Sequence, residues 1–330
     1  MTGMVNHRGL ERFLHGVLVV DAEDTIERRL VPLLRREITA GQAVLMVVGS
    51  PTAQIVRDRL GRDADALRWA AMDGFYQRLG FTYSGFDRYL REQHARREAV
   101  HVVAEPDVVS DPVAPVDRTA AYLKYEAMTN EAYAGYGCPI TCIWHRRHHS
   151  ASIIDDVRRV HPRELTGRGD RDNPAYVPPA AYLKARTQAP MTPAPPVTDV
   201  DLTVWDFAEV GACRAAVARF AAQRHFAPAA VRHVVAATSE VVANGLRHGR
   251  PPVQVFAWTQ DDTLIVHVQD HGGKAVPSDA GYRQPAILTG PAGLWIARQV
   301  ADVLLTRTAG GRTTVRMYFP YAVTHRSLPI

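Results

Sequence analysis

The chain has 330 residues, 46% of them apolar and 22% charged, with a formal net charge of +5 at pH 7. That length holds two domains of ordinary size, and the composition excludes a largely disordered chain. The basic excess is scattered as Arg-Arg pairs such as Arg28-Arg29 and Arg158-Arg159, without the clustered cations that nucleic-acid binding requires, so no direct nucleic-acid partner is expected.

Three cysteines are too few for a disulfide framework, and no second Cys pair or Cys-His spacing completes a zinc motif. Cys138 and Cys142, four apart, read as a chance spacing. The first twenty residues lack the apolar core and cleavage site of a secretion signal, and no apolar stretch is long enough to cross a bilayer. No membrane partner and a cytoplasmic location are expected.

Residues 1–163 alternate short apolar runs with helical patterns. Gly16–Val20 and Ala43–Val48 are continuous Val-rich runs, as expected of strands buried on both faces of a parallel sheet. Between them, Asp24–Ala40 reads as a helix with Leu30, Leu33, Leu34 and Ile38 on one face and Gly41 as its stop. Ala99–Ala104 and Ile140–Trp144 read as further strands, and Phe86–Arg97 and Thr119–Ala134 as helices. The β–α–β rhythm predicts an α/β layer fold with a mostly parallel sheet.

Residues 164–196 change character, with GRGDRDNP, VPP and APMTPAPP in succession. Their proline density predicts a partly extended linker, with one short helix near Ala180–Arg186.

Residues 197–330 follow a different order. Helices are expected over Phe207–His225 and from Pro228 to about Leu246. Strands Val253–Trp258 and Thr263–Gln269 follow, then an irregular Gly-rich stretch. A helix over Gly293–Val300 precedes strands Asp302–Arg307 and Thr313–Phe319, joined by a Gly310-Gly311 turn. This order predicts an α+β sandwich with helices on one face of a mixed sheet.

Three pieces of this last segment carry chemistry. Glu240 and Asn244 stand i, i+4 on one helix face, where an amide oxygen can enter the octahedral shell of Mg²⁺ and a carboxylate can deprotonate a hydroxyl. Asp270 and Gly272 leave a strand, where a carboxylate can accept the amine of adenine and a glycine admits the base. Gly290 and Gly293 precede a helix, whose first amides and dipole favour phosphate. Each alone has a bland reading as a polar helix end or a common turn.

Taken in order, Glu-x-x-x-Asn, Asp-x-Gly, Gly-x-x-Gly-Leu and Gly-x-Thr-Thr resemble the GHKL (HATPase) ATPase superfamily. The run Gly293-Leu294-Trp295-Ile296-Ala297-Arg298-Gln299-Val300-Ala301-Asp302 narrows the resemblance to actinobacterial anti-sigma regulatory factors, relatives of the serine kinases that control stress sigma factors. The resemblance implies ATP and Mg²⁺ as cofactors, Asn244 as the Mg²⁺ ligand and Glu240 as the general base. It makes Asp270 and Gly272 adenine contacts, Gly290, Gly293 and Leu294 the phosphate loop, and Thr313 a contact beside the adenine. The sequence departs from that family at Lys274, where glycine is frequent, and at Pro291-Ala292 in place of Gly-Arg.

His15-Gly16-Val17-Leu18, Val31-Pro32-Leu33-Leu34, Gly41–Leu45, Glu105-Pro106 and Tyr125-Glu126 resemble the MEDS sensory domain, which implies a RecA-like α/β core. Val48–Thr52 lies where a phosphate loop would, but lacks Gly-Lys-Ser/Thr, so no NTPase site is expected in this half. Glu105, Glu126, Cys142 and His145 are candidates for a sensory pocket that takes a small molecule, with satisfied structural positions as the other reading. The His145–His149 cluster reads as a solvated loop, with metal binding as the other reading.

The expected whole is a cytoplasmic switch. A sensory domain (1–163) and a linker (164–196) precede an ATP-binding domain (197–330), which holds a sigma factor or phosphorylates an anti-sigma-factor antagonist on Ser or Thr. A homodimer is a candidate assembly. The alternative is a non-catalytic ligand-sensing adaptor whose ATPase-like domain binds only protein.

Overall fold

A computed structural model describes residues 14–22, 24–108, 114–186, 191–285 and 292–321. Among these, residues 14–76, 85–108 and 122–182 form a first unit. The second unit holds residues 77–84, 114–121 and those from 183 onward.

The first unit is built on a seven-stranded sheet. Its strands are β1 (His15–Val20), β2 (Ala43–Val47), β3 (Arg68–Trp69), β4 (Val100–Ala104), β5 (Ile140–His145), β6 (Arg163–Thr166) and β7 (Gly169–Asp172), in the order β3-β2-β4-β5-β1-β6-β7. Every pairing is parallel except the β6–β7 hairpin. The Val-rich runs are buried along their length, as continuous apolar strands in a covered parallel sheet must be.

The helices are α1 (Val31–Thr39), entered through a π-helical turn at Ile26–Leu30, α2 (Ser50–Leu60), α3 (Met72–Phe75), α4 (Leu79–Ala95), α5 (Arg118–Ala132), α6 (Ala151–Val160) and α7 (Pro179–Ala185). Leu30 and Leu34 are fully buried while Leu33 and Ile38 pack at the edge of the same cluster, the face that the periodicity predicts. Burying each leucine is worth about 2 kcal/mol. Gly41 stops α1 at φ +70°, a left-handed conformation that glycine adopts without strain.

The expected linker is partly structured. Residues 163–172 form the β6–β7 hairpin, with β6 parallel to β1, and Pro179–Ala185 form α7. Gly167 and Gly169 (φ +97°) make the hairpin turn, so the GRGD run assigned to the linker is turn chemistry.

The second unit has β8 (Val200–Val204), α8 (Val210–Gln223), α9 (Pro228–His248), β9 (Val253–Gln260), β10 (Thr263–Asp270), α10 (Gly293–Val300), β11 (Val303–Ala309) and β12 (Arg312–Pro320). Its sheet runs β11-β12-β10-β9-β8, and all four pairings are antiparallel. The expectation of a mixed sheet is therefore corrected. Consecutive strands joined by tight turns pair antiparallel, and β8 joins β9 in the same sense.

Val217, Phe220, Val234, Val241 and Val242 from the helices meet Val255, Val266, Val268, Met317 and Phe319 from the strands in one core. Residues 77–84 and 114–121 also belong to this unit. Arg78 Nε donates to Gln299 O at 3.2 Å, and Arg118 donates to both carboxylate oxygens of the buried Asp302 at 2.8 and 3.1 Å.

Candidate functional site

In the second unit the site starts with α9. Pro228 opens this helix with its fixed φ and no amide to waste, and Val234, Ala237, Val241 and Val242 anchor one face in the core. That packing leaves Glu240 and Asn244, one turn apart, half-buried on another face. The N-terminus of α10 closes over them. A Cβ built on Gly293 would come 2.8 Å from Glu240 Oε2 and 2.9 Å from Asn244 Nδ2. Only a residue without a side chain lets the first amides of α10 approach this pair so closely, and the positive helix end favours negative charge there.

Asp270 ends β10 with its side chain buried, and its Oδ1 accepts the Gly272 amide at 2.7 Å. Two glycines of the α9 terminus let the helix end pack closely, Gly249 against Asp270 and Gly245 against Val253. A Cβ on Gly249 would meet Asp270 Cγ at 2.3 Å, and one on Gly245 would meet Val253 Cγ2 at 3.0 Å. Gly245 escaped the sequence reading and Gly249 was given no role there, although two glycines four apart at a helix end signal a close approach on one face. Thr313 lies opposite Asp270 in the β10–β12 register, and its hydroxyl donates to Lys274 O at 2.9 Å.

Asn244, Gly249, Asp270, Leu294 and Thr313 line one cavity of about 470 Å³, walled on its apolar sides by Val241, Val268 and Val315. The volume suits a nucleotide-sized ligand. Lys274, one of the departures from the family pattern, lines the same cavity. Gly290, with Thr289 and Pro291, lies outside the described residues.

The far wall of the cavity is the loop after β10, and Arg298 of α10 fastens it. This buried guanidinium donates to Ala280 O at 3.0 Å and to Leu304 O at 3.2 Å, and stacks 4.0 Å above the centroid of the Tyr282 ring. Gly281 (φ +77°) turns tightly against Leu294, 2.8 Å from the position of its missing Cβ. The sequence signal for Arg298 was a single cation on an otherwise apolar helix face.

The four sensory candidates divide into two sites in the first unit. Glu105 and His145 pair at 3.0 Å (Oε1 to Nε2), and Glu105 also accepts the Gly49 amide at 3.1 Å. Burial pushes the Glu105 carboxyl up, but His145, Thr52 and the Gly49 amide together hold it below the ordinary value. His145 and Thr52 line a second cavity, also about 470 Å³.

Glu126 and Cys142 lie apart from that pair, with His15 and His161. Cys142 Sγ stands 3.4 Å from His15 Nε2 and 3.8 Å from Glu126 Oε2. All four side chains are buried. Burial and the Glu126 charge push the Cys142 thiol up, while burial, opposed only in part by Glu126, pulls His161 down to about 3. Sequence reasoning missed His15 and His161 as site residues because their partners are distant in the chain.

Two family models match the chain. Residues 14–162 match the MEDS family, described as the MEthanogen/methylotroph, DcmR Sensory domain, and residues 205–319 match the Histidine kinase-like ATPase domain. No curated protein matches in sequence. Among solved structures, the Acinetobacter baumannii histidine kinase AdeS is 12% identical, covering 43% of this chain and 73% of its own, with a TM-score of 0.25. The histidine kinase domain of the Erythrobacter litoralis EL346 blue-light activated histidine kinase is 16% identical, covering 74% of this chain and 95% of its own, at a TM-score of 0.25. Similarity at that level carries no weight for this chain. No helix among the described residues is long and apolar enough to cross a membrane. The two matched segments, one in each half of the chain, join a MEDS sensory domain to a histidine kinase-like ATPase domain.

Proposed function

We propose that the ATPase-like domain binds ATP with Mg²⁺ and that the MEDS domain controls it in response to a small molecule. The observation that carries the nucleotide part is the meeting of Glu240 and Asn244 beneath Gly293, beside a cavity that Asn244 and Asp270 line. The residues present fit such a ligand. Gly249 and Gly272 let the backbone pack directly on the Asp270 carboxylate, and Gly293 lets the start of α10 pack on Glu240 and Asn244. An amide oxygen, a carboxylate and a helix N-terminus supply the donors and acceptors that a cation, a base and phosphate require.

In this reading Asn244 gives its side-chain oxygen to the cation, and the N-terminal amides of α10 face the phosphates. Asp270 accepts from the adenine amine, with Gly272 and Thr313 beside the base. Glu240, one turn before Asn244, takes the proton of an acceptor hydroxyl if the domain transfers phosphate.

The act further downstream is control of sigma-factor-dependent transcription, by holding a sigma factor or by phosphorylating an anti-sigma-factor antagonist on Ser or Thr. Supporting it is the resemblance of the run Gly293–Asp302 to anti-sigma regulatory factors. Calorimetry of the full chain with ATP and Mg²⁺ tests the nucleotide part. Binding should weaken at least tenfold in Asn244→Ala, and equal affinity in parent and variant rejects Asn244 as the ligand. Labelled ATP with candidate antagonists tests the second part, since label on an antagonist Ser or Thr supports a kinase and its absence leaves a binding switch.

A further inference from the structure

We propose that His15, Glu126, Cys142 and His161 form a closed site for one divalent transition-metal cation, zinc in the first instance, inside the MEDS domain. Four elements deliver the donors. His15 begins β1, Cys142 lies on the adjacent parallel strand β5, Glu126 sits on α5, and His161 follows the last residue of α6. One ligand atom from each residue lies within 4.8 Å of every other.

The separations suit a metal. Four donors at zinc distances in a tetrahedron stand about 3.3–3.7 Å apart. Here His15 Nε2 is 3.3 Å from Glu126 Oε2 and 3.4 Å from Cys142 Sγ, Cys142 Sγ is 3.8 Å from Glu126 Oε2, and His161 Nε2 is 4.0 Å from Glu126 Oε2. Closing on an ion draws the His161–Glu126 pair in from 4.0 Å by about 0.7 Å, the largest change among these four separations.

The second, independent observation is how the histidines are held. His161 Nδ1 donates to Val157 O at 2.7 Å. His15 Nδ1 meets Asn130 Oδ1 at 3.1 Å, and Asn130 is oriented by donating its own Nδ2 to Ala127 O and Val160 O. Each ring therefore commits Nδ1 as the donor and turns the Nε2 lone pair inward, the arrangement that backbone and amide acceptors impose on metal-binding histidines.

A proton on His15 would satisfy its contact with Glu126. It would still leave His161 Nε2, 0% exposed, without a hydrogen-bond partner among the described residues. A dication satisfies all four donors at once. The Cys142 thiol loses its proton to solvent as the S–metal bond forms, and one carboxylate plus one thiolate then balance the double charge in a buried site. The residue types select the metal, because a thiolate with two imidazoles favours zinc and its neighbours over calcium or magnesium. With four protein donors and 0–4% exposure, the site leaves no open position for a reacting water.

The test is titration of the full-length chain, stripped with a chelator, with Co²⁺ alone and then with Zn²⁺. Saturation is expected at about one Co²⁺ per chain, with a near-ultraviolet thiolate charge-transfer band and tetrahedral visible bands that Zn²⁺ abolishes. Cys142→Ser should lose the thiolate band, and His161→Ala should lower affinity at least a hundredfold. His148→Ala with His149→Ala, in the exposed loop, should change neither. Failure to bind Co²⁺ overturns the proposal. So does a spectrum without the thiolate band, or a band that survives Cys142→Ser. If the Cys142 or His161 variants do not fold, the parent titration decides alone.

Discussion

Gly293 sits so near Glu240 that a methyl group on it would come within 2.8 Å of the Oε2 atom. The helix that opens at Gly293 and the carboxylate on α9 are therefore matched in position, although more than fifty residues separate them in sequence. The atoms that such a methyl would strike are the ends of Glu240 and Asn244, which can swing aside, so the damage falls on the site and not on the core.

Gly293→Ala should accordingly fold as the parent does, with a thermal midpoint within a few degrees, while ATP affinity falls at least tenfold. Alanine also loses less backbone freedom than glycine on folding, which offsets part of the crowding. Calorimetry beside thermal denaturation checks both halves, and undiminished ATP binding would show that α10 does not face the nucleotide.

Glu240→Gln should keep ATP binding within about threefold and lose phosphoryl transfer by two orders of magnitude or more, since it removes the base while preserving shape. Single-turnover transfer to a phosphorylatable antagonist measures it. Equal rates in parent and variant would take Glu240 out of the chemistry.

Arg298→Met removes the guanidinium that ties Ala280 O, Leu304 O and the Tyr282 ring together. Hydrogen bonds to a charged group contribute roughly 1.5–3 kcal/mol each, and methionine recovers part of the lost packing. Urea denaturation should show a loss of about 2–3 kcal/mol. ATP affinity should fall as well, because the loop at Ala280–Tyr282 loses its fastening to α10. A variant of parental stability and affinity would show that the loop holds its place without Arg298.

His267 supplies a pH dependence. Burial, with Arg316 beside it, pulls its pKa down to about 4, and Arg316 Nε donates to its Nδ1 at 3.1 Å. As pH falls through the ordinary value of about 6.5, the unfolded chain takes up a proton that the folded chain refuses until about 4. The contribution is present in full above that ordinary value and is lost as pH drops toward 4. It amounts to about 3 kcal/mol at most, at about 1.4 kcal/mol per unit. The stability gap between parent and His267→Gln should shrink by about 1–3 kcal/mol from pH 7 to pH 4. A gap that stays constant over that range would show that His267 titrates alike in both states.

Much of the second unit was legible in the sequence because its signals are local. Glu240 and Asn244 share a face through the period of a single helix. Asp270-His271-Gly272 is one strand end, and Gly310-Gly311 (φ +57° and +72°) is a turn that its residues dictate. The helices α2 and α6 were not picked out. The Ser50-Pro51 start of α2 was weighed only as a failed phosphate loop, and α6 follows directly on a cluster of histidines and arginines. β8 lay hidden behind prolines, and it becomes a strand by pairing with β9.

The first unit divides the two kinds of information most clearly. The sequence by itself determined that Val17, Leu18, Val44 and Val103 lie inside a sheet, since short, unbroken, Val-rich runs fit strands covered on both faces. It also named Glu126 and Cys142 as candidates for a sensory pocket. Only the tertiary structure decided their company. The parallel register of β1 and β5 sets Val17 opposite Cys142, which brings His15 to the thiol from 127 residues away, and the end of α6 brings His161 to the same point. Cysteine spacing reads metal ligands along one turn or one loop. Donors carried on four separate elements meet through strand order and helix packing, which no local pattern of residues encodes.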